Sequence, residues 1–221
     1  MYRAGVILSG CGNEDGTSIE EAIMTFLAFD SLGVETLCLS LDKEQFEVFD
    51  HLAGRAMQMG QKRNILVESA RLSPGRIKDI EDTAEDDFDL LILPGGKGVL
   101  KNLSTFMDEK IEFRVNSSVQ NTIRQAYSDG KPIGATSTAI VVLAKALGSV
   151  SPNLKVSVAG QSQSVRAAIE KFGVYYSCEE EICIDRDNHV VTAPHLSGKS
   201  LNSMKDTIEV LVKKLVELVE R

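Results

Sequence analysis

The chain has 221 residues, of which 43% are hydrophobic and 25% charged, and its formal net charge at pH 7 is -8. This composition is typical of a globular protein with a buried core. The acidic balance and the absence of a basic cluster argue against a nucleic-acid partner. No apolar run approaches the roughly 20 residues that a membrane-spanning helix needs, so no membrane partner is expected.

The N-terminus and the cysteines bear on the cellular compartment. The opening M-Y-R-A-G-V-I-L-S-G has too short an apolar stretch for a secretory signal and leads directly into a first predicted strand. The four cysteines, at positions 11, 38, 178 and 183, form no C-x-x-C pair. A disulfide framework or a structural zinc site is therefore not expected, and the pattern favours a reducing, cytoplasmic location.

Short apolar runs alternate with helical patterns along the chain. The predicted strands are Ala4–Leu8, Thr36–Leu41, Leu90–Leu93, Pro132–Ala135, Lys155–Ala159 and Val190–Thr192. The predicted helices are Ser18–Leu32, Asn116–Ser128, Ala139–Leu147, Gln163–Phe172 and Ser203–Glu220. Residues 42–87 are rich in charge and give no clear pattern. No internal repeat or low-complexity linker divides the chain, so a single domain over residues 1–221 is expected.

This alternation predicts an α/β fold with a mostly parallel central sheet, right-handed crossovers and helices on both faces. Ligands of such sheets bind beyond the carboxyl ends of the strands. Four segments follow predicted strands at that edge: S-G-C-G-N-E-D-G (9–16), P-G-G-K-G (94–98), A-T-S-T-A (135–139) and A-P-H-L-S-G (193–198). The candidate site is therefore sought among these segments.

The segment A-T-S-T-A lies where a buried strand runs directly into a helix. A sharp strand-to-helix corner with small flanking residues is a way to expose a nucleophile, which makes Ser137 the first candidate. A serine hydroxyl is a poor nucleophile without an adjacent base. The alternative is that Ser137 is only a small polar residue that caps the Ala139 helix.

A serine hydrolase is a further alternative. The order Ser137, then Asp185 or Asp187, then His195 matches the chain order of the α/β-hydrolase triad. However, alanine stands at both glycine positions of G-x-S-x-G, and I-D-R-D-N-H is more simply a polar turn before a strand. The triad is therefore the weaker interpretation.

The other segments at this edge supply further candidates. Ser18 and Glu21 form a capping-box pattern at the start of a helix that Gly33 is expected to end. Gly95 and Gly96 can build a tight turn whose N–H groups point at an anion. Cys11 either faces the same cleft as a second thiol or is a small buried residue in a glycine-rich loop. No phosphate-loop or dinucleotide motif is present, so no nucleotide cofactor is expected, and C-E-E-E-I-C favours strand packing over a metal.

Several motifs together resemble the PfpI-type superfamily. They are G-V-I-L-S-G-C-G-N-E-D-G-T-S-I-E-E-A, H-L-A-G-R-A-M, R-N-I-L-V-E-S-A-R, L-P-G-G-K-G-V-L-K-N-L-S and D-N-H-V-V-T-A-P. The chain is similar to the branch labelled enhancing lycopene biosynthesis protein or sigma cross-reacting protein, some members of which are described as glyoxalases. The resemblance spans nearly the whole chain, and it implies a glutamine-amidotransferase-like, flavodoxin-like fold.

The resemblance also implies roles for individual residues. Glu21 matches the glutamate that holds the attacking group, and Ser137 stands where the superfamily has a nucleophilic cysteine. Gly96 and Thr138 match the residues whose N–H groups form the oxyanion site. Further residues expected to line the cleft are Cys11, Gly95, Asn102 and His195. The chain departs from the superfamily at the nucleophile, since A-T-S-T-A-I replaces the usual surroundings of the cysteine.

Two functions follow from these expectations. The first is a cofactor-independent, glyoxalase-like lyase that converts a 2-oxoaldehyde to a 2-hydroxy acid, linked to isoprenoid biosynthesis only through the name of the branch. The second is a non-catalytic member that binds a small metabolite or acts through a partner, as the replaced nucleophile suggests. The expected partner is a small carbonyl metabolite, and a homodimer is expected by analogy with the superfamily.

Overall fold

The structure of the protein, a computed structural model, describes residues 1–57, 61–73, 75–151, 153–158, 163–172, 174–178, 182–194, 196 and 198–220. The strands in these residues are β1 (Arg3–Ile7), β2 (Glu35–Ser40), β3 (Phe49–Asp50), β4 (Arg55–Ala56), β5 (Ile77–Asp79), β6 (Leu90–Leu93), β7 (Ile133–Thr136), β8 (Lys155–Ser157), β9 (Tyr175–Cys178), β10 (Cys183–Asp185) and β11 (Val190–Ala193). The helices are α1 (Ile19–Ser31), α2 (Ile65–Ser69), α3 (Lys97–Asn102), α4 (Phe106–Glu109), α5 (Ser117–Ser128), α6 (Ala139–Leu147), α7 (Gln163–Lys171) and α8 (Leu201–Val219).

A seven-stranded sheet in the order β10-β11-β7-β6-β1-β2-β5 forms the centre of the described chain. Its strands are parallel except for β10, which pairs antiparallel with β11 at one edge. The predicted fold class, a mostly parallel flavodoxin-like α/β sheet, is therefore confirmed. The strand predicted at Lys155–Ala159 forms as β8, but it pairs with β9 in a separate two-stranded sheet, and Ala159 lies outside the described residues.

The central strands are apolar throughout because helices cover both faces of the sheet. Every residue of β6 is buried, and its side chains alternate between two cores. Leu91 and Leu93 face the core that contains α5 and α6, whereas Leu90 and Ile92 face the core that contains α1 and α8. Because successive side chains of a strand point to opposite faces of the sheet, the single strand β6 contributes to both cores.

Helix α8 forms where the sequence predicts a helix over Ser203–Glu220, and it packs one face onto the sheet. Ser200 precedes it and accepts a hydrogen bond from the N–H of Ser203 at 3.2 Å, which satisfies one of the free donors of the first turn. Its buried residues, Ile208, Leu211 and Leu215 among them, pack into the same core as Phe29 of α1. Among the described helices, none is long and apolar enough to cross a membrane.

Ser18 is the N-cap residue of helix α1, as predicted, but the predicted capping box does not form. Ser18 accepts a hydrogen bond from the Glu21 N–H at 3.3 Å. The reciprocal bond, from the Ser18 N–H to the Glu21 side chain, is replaced by a bond from that N–H to the Gly95 carbonyl at 2.8 Å. The capping-box expectation for Glu21 is therefore wrong, and its carboxylate is left for other partners. At the other end Gly33 has φ +69 and ends the helix, as predicted.

In the described part of the charged segment 42–87, the sequence pattern did not predict the β3–β4 ribbon, α2 or the edge strand β5. Part of this segment covers the loop after β1. The Phe49 N–H donates to the Asp15 carboxylate at 2.8 Å, and the Gln45 side chain donates to the Asp15 carbonyl at 2.8 Å. Asp15 is consequently buried, although it lies in a loop.

Candidate functional site

Ser137 occupies the corner between β7 and α6 with φ +50. This left-handed conformation is unfavourable for a residue with a Cβ by roughly 1–2 kcal/mol, and it is the geometry that a nucleophile elbow imposes. The Ser137 N–H is anchored on the Ala193 carbonyl at the end of β11, at 3.1 Å. The expectation that Ser137 caps the helix is wrong, because Thr138 is the N-cap residue of α6.

The Ser137 hydroxyl lies 2.8 Å from Oε1 of Glu21. The Leu196 N–H points at the same hydroxyl oxygen, at 3.1 Å, and can only donate to it. An ionised carboxylate can only accept, so the Ser137 proton is directed toward Glu21. The two residues are 116 positions apart in the chain. They meet because α1 and the β7–α6 corner lie at the same edge of the sheet.

The second carboxylate oxygen of Glu21 is held by two more donors. Oε2 accepts the Thr136 hydroxyl at 2.5 Å and the Gly95 N–H at 2.9 Å. The Gly95 N–H also lies 2.9 Å from the Thr136 hydroxyl oxygen, which fixes the direction of the Thr136 proton. Glu21 is buried, and hydrogen bonds of this kind offset the loss of water around a carboxylate. Sequence reasoning did not assign Thr136, although it belongs to the hydroxyl triplet T-S-T that marks the corner.

The two residues expected to form the oxyanion site meet at the corner, but they bond to each other. The Gly96 N–H donates to the Thr138 hydroxyl oxygen at 3.1 Å. The same hydroxyl donates its proton to the Gly96 carbonyl at 2.7 Å. The Thr138 N–H has no hydrogen-bond partner in the part of the chain that the structure describes. One of the two expected donors is thus occupied by a side chain, and the other is available.

Main-chain contact between two loops forms the frame of this corner. A Cβ on Gly96 would lie 2.4 Å from the Gly16 carbonyl oxygen, and one on Gly98 would lie 2.2 Å from the Gly16 Cα. A Cβ on Gly95 would lie 2.6 Å from the Cβ of Ser137. No side chain fits at these separations, so glycine is required on sterics alone. The glycines set the distance between the loop after β1, the turn after β6 and the elbow.

We expect Gly98→Ala to destabilise the protein by about 3 kcal/mol, because the methyl group would force two backbone segments apart. The matched control is Gly33→Ala. Gly33 has open space around it but a φ of +69, so only the left-handed conformation is penalised there, at roughly 1–2 kcal/mol. Urea unfolding of both variants measures the difference. Equal losses in the two variants would contradict the steric role of Gly98.

Cys11 lies in the loop after β1, and its surroundings are those of a residue that stabilises the loop. It is half-buried and forms an isolated parallel bridge with Thr17. Burial raises the pKa of the Cys11 thiol; Arg71 acts to lower it, while Glu68 and Asp15 raise it further. A raised pKa leaves little of the reactive thiolate at neutral pH. These surroundings do not favour Cys11 as a substitute nucleophile.

Asn102 braces the loop after β1 from its position at the end of α3. Its side-chain nitrogen donates to the carbonyls of Ser9 and Asp15, both at 2.8 Å, and its oxygen accepts from the Phe46 N–H at 2.9 Å. The amide is therefore engaged in holding two loops together, whereas the sequence suggested that it lines the cleft. His195, the remaining cleft candidate, lies outside the described residues.

The alternative triad is not assembled around Asp185. Asp185 pairs with Val190 at the start of β11, whereas the elbow lies beside Ala193 at its end. The Asp185 carboxylate is buried and accepts from the Lys155 N–H at 2.7 Å and from the Asn188 side chain at 2.8 Å. Asp185 therefore stabilises a turn at the opposite end of the sheet from Ser137, as the simpler interpretation of I-D-R-D-N-H requires.

The protein is thus an α/β protein with a sharp strand-to-helix corner at the carboxyl edge of a parallel sheet, where Ser137 contacts a buried glutamate from the first helix. A family model of the DJ-1/PfpI family matches residues 12–203. The chain belongs to this family, as the sequence motifs predicted.

Its relatives include two mammalian proteins. It is 34% identical, over 98% of its length and 83% of the relative's, to the human protein named "Glutamine amidotransferase-like class 1 domain-containing protein 3, mitochondrial". It is 33% identical, over 98% of its length and 84% of the relative's, to the rat "ES1 protein homolog, mitochondrial". Because both names refer to mitochondria, the cytoplasmic location stays a prediction.

A solved structure from Ehrlichia chaffeensis supports the same assignment. It is described as an isoprenoid biosynthesis protein with an amidotransferase-like domain. The two chains superpose with a TM-score of 0.88 at 30% identity, over 99% of each chain. Drosophila melanogaster DJ-1beta, at 18% identity and a TM-score of 0.54 over 99% of this chain and 96% of its own, shares the fold.

Proposed function

We propose that the protein binds a small carbonyl metabolite at the Ser137 corner and acts on it as a slow, cofactor-independent glyoxalase-type lyase. The observation that carries the proposal is the elbow itself. Ser137 is held in a left-handed conformation with its proton directed at a buried carboxylate 2.8 Å away. Such strain is characteristic of functional sites. The homodimer expected by analogy stays a prediction.

The reaction proposed is an internal redox conversion. The Ser137 oxygen adds to the aldehyde carbon of a 2-oxoaldehyde while its proton passes to Glu21, giving a hemiacetal. A proton then leaves the former aldehyde carbon and another is added to the neighbouring ketone carbon. The first carbon is thereby oxidised to an ester on Ser137 and the second is reduced to an alcohol. One water hydrolyses the ester, releasing the 2-hydroxy acid, so no external oxidant is needed.

Each described residue at the corner has a part in this proposal. Glu21 accepts and returns protons, and Thr136 and the Gly95 N–H hold its carboxylate in place. The Thr138 N–H, followed by the Gly96 N–H once it is released from the Thr138 hydroxyl, would bind the oxygen on which negative charge develops. Turnover is slow in this proposal because an alcohol ionises far less readily than the thiol that it replaces.

A second candidate is a non-catalytic protein that binds the same class of metabolite. The hydrogen bonds between Thr138 and Gly96 favour it, because they occupy one of the donors that catalysis requires. In this alternative the elbow and the glutamate serve only to recognise a carbonyl or carboxylate oxygen.

The experiment is methylglyoxal turnover by the purified wild type and by Ser137→Ala. We expect slow formation of lactate by the wild type and none by the variant, since the variant has no oxygen to add to the aldehyde. Binding of the ligand, followed by thermal stabilisation, is expected to persist in the variant. Stabilisation without turnover in the wild type would establish the second candidate instead. Turnover equal in both proteins would show that the chemistry lies away from Ser137.

A further inference from the structure

Thr136 is the last residue of β7 and is fully buried directly before the Ser137 corner. Its hydroxyl donates to Oε2 of Glu21 at 2.5 Å. The Gly95 N–H can only donate, and it points at the same hydroxyl oxygen at 2.9 Å, so the Thr136 proton is directed at the carboxylate. Thr136 and Ser137 both belong to A-T-S-T-A, the segment in which the chain departs from the superfamily's cysteine corner.

The carboxylate of Glu21 is held by neutral donors. Glu21 is 3% exposed, and burial by itself disfavours the charged form of a carboxyl group. The described groups that donate to it are the Thr136 and Ser137 hydroxyls and the Gly95 N–H. A hydrogen bond to the charged form has the opposite effect to burial and lowers the pKa of a carboxyl group. Charged side chains on the neighbouring segments have other partners, namely Glu20 of α1, Asp15 of the loop after β1 and Lys97 of α3.

We infer that Thr136 is a positioning residue that keeps Glu21 ionised and turns its Oε1 toward Ser137, and that it thereby adapts the corner to an alcohol nucleophile. The part of this inference that concerns turnover rests on the proposed function. It goes beyond the support of the carboxylate described above, because it assigns the charge state of the base to one hydroxyl.

The need for such a residue follows from the chemistry of the nucleophile. A thiol can reach its reactive thiolate form at accessible pH, whereas an alcohol depends on an adjacent base that is already ionised. The Thr136 hydroxyl engages Oε2, which leaves Oε1 to accept the Ser137 proton at 2.8 Å. One side chain therefore acts on both the charge and the direction of the carboxylate.

The pH profile of turnover tests this role. In Thr136→Val the hydroxyl is replaced by a methyl group of similar size, so the carboxylate loses a donor and the pKa of Glu21 rises. Activity requires the ionised base and is lost as the pH falls through that pKa. We therefore expect the acid limb of kcat/KM for methylglyoxal to lie about one pH unit higher in Thr136→Val than in the wild type, a tenfold change in proton affinity. Thr136→Ser keeps the hydroxyl and is expected to restore the wild-type limb.

Urea unfolding at a series of pH values provides a readout that needs no substrate. The lost hydrogen bond stabilises the ionised carboxylate more than the protonated one. The difference in unfolding free energy between the wild type and Thr136→Val is therefore expected to be largest at high pH and to shrink as the pH falls and Glu21 is protonated. Thr136→Ala, which removes the same hydroxyl without adding a methyl group in its place, is expected to show the same trend.

The matched control is Thr25→Val on α1. Thr25 is also fully buried, but its hydroxyl donates to the main-chain carbonyl of Glu21, at 2.7 Å, and not to the carboxylate. Its loss is expected to lower stability by an amount that does not vary with pH. The same pH-independent loss in Thr136→Val and Thr136→Ala would overturn the inference and leave Thr136 a purely structural residue.

The two readouts separate this inference from the function on which it partly rests. A pH-dependent stability difference in a protein that forms no lactate would overturn the lyase and leave the hold of Thr136 on the charge of Glu21 standing. Turnover with the same acid limb in the wild type and in Thr136→Val would leave the lyase standing and overturn the inference.

Discussion

Ser137→Cys is expected to raise methylglyoxal turnover by at least about tenfold over the wild type, which corresponds to about 1.4 kcal/mol of the activation barrier. The substitution exchanges one atom at a position whose backbone geometry is already that of an elbow. A thiol ionises more readily than an alcohol, and helix α6 begins directly after the corner, where a thiolate is stabilised by the helix N-terminus. Lactate formation at several substrate concentrations gives kcat and KM for both proteins.

Two further variants test whether the new thiol is responsible. Cys11→Ser, combined with Ser137→Cys, is expected to leave the gain intact, since Cys11 has a raised pKa and charged neighbours other than Glu21. Ser137→Ala provides the background rate. If Ser137→Cys folds normally and binds the ligand but turns over no faster than Ser137→Ala, the glyoxalase proposal is wrong for this chain.

Glu21→Gln is expected to lower kcat/KM by roughly 10²-fold or more, in the wild type and in the Ser137→Cys background, because the base is lost. The amide has one orientation that fits. Its oxygen faces the Thr136 hydroxyl and the Gly95 N–H, so its NH₂ group must face Ser137. The Ser137 oxygen already accepts the Leu196 N–H, and its proton would lose its acceptor. Since the other contacts survive, we expect a loss of only about 1–2 kcal/mol in the free energy of unfolding.

The matched control for this prediction is Glu20→Gln, one position earlier on α1. Glu20 is exposed, and its carboxylate accepts only the Ser18 hydroxyl among the hydrogen bonds of the described residues, at 3.1 Å. Its loss is expected to change stability and turnover little. Unchanged turnover in Glu21→Gln would remove Glu21 from the proton transfers, whereas a large loss of stability would give it a mainly structural role.

The central layers of the fold could be predicted because their residues carry strong local signals. β6 and β7 are apolar runs followed by glycine or by a hydroxyl triplet, and α8 has a continuous apolar stripe. The edge strand β5 carries no such signal. It has three residues, none of them buried, and lies in a charged segment, so only its pairing with β2 defines it.

The site could be predicted as a set of residues but not as a set of contacts. Glu21 looks like a helix-capping residue from its local sequence, and its partner Ser137 is 116 positions away. The Gly95 carbonyl accepts the Ser18 N–H. The Glu21 carboxylate therefore does not bond to Ser18 and turns toward Ser137 instead. The link between Thr138 and Gly96 depends on a single side-chain rotation that no sequence pattern specifies. The burial of Asp15 involves the Phe49 segment, whose N–H donates to the Asp15 carboxylate from 34 positions away.

The close approach of Gly16 to Gly96 and Gly98 has a consequence for how this corner can change over time. The frame that holds the elbow is built from main-chain atoms, so its shape does not depend on which side chain stands at position 137. A lineage can therefore exchange a thiol for a hydroxyl, or restore it, by one substitution without rebuilding the fold. The reactivity of the residue at position 137 can therefore change easily, whereas Gly96 and Gly98 must stay glycine for the corner to form.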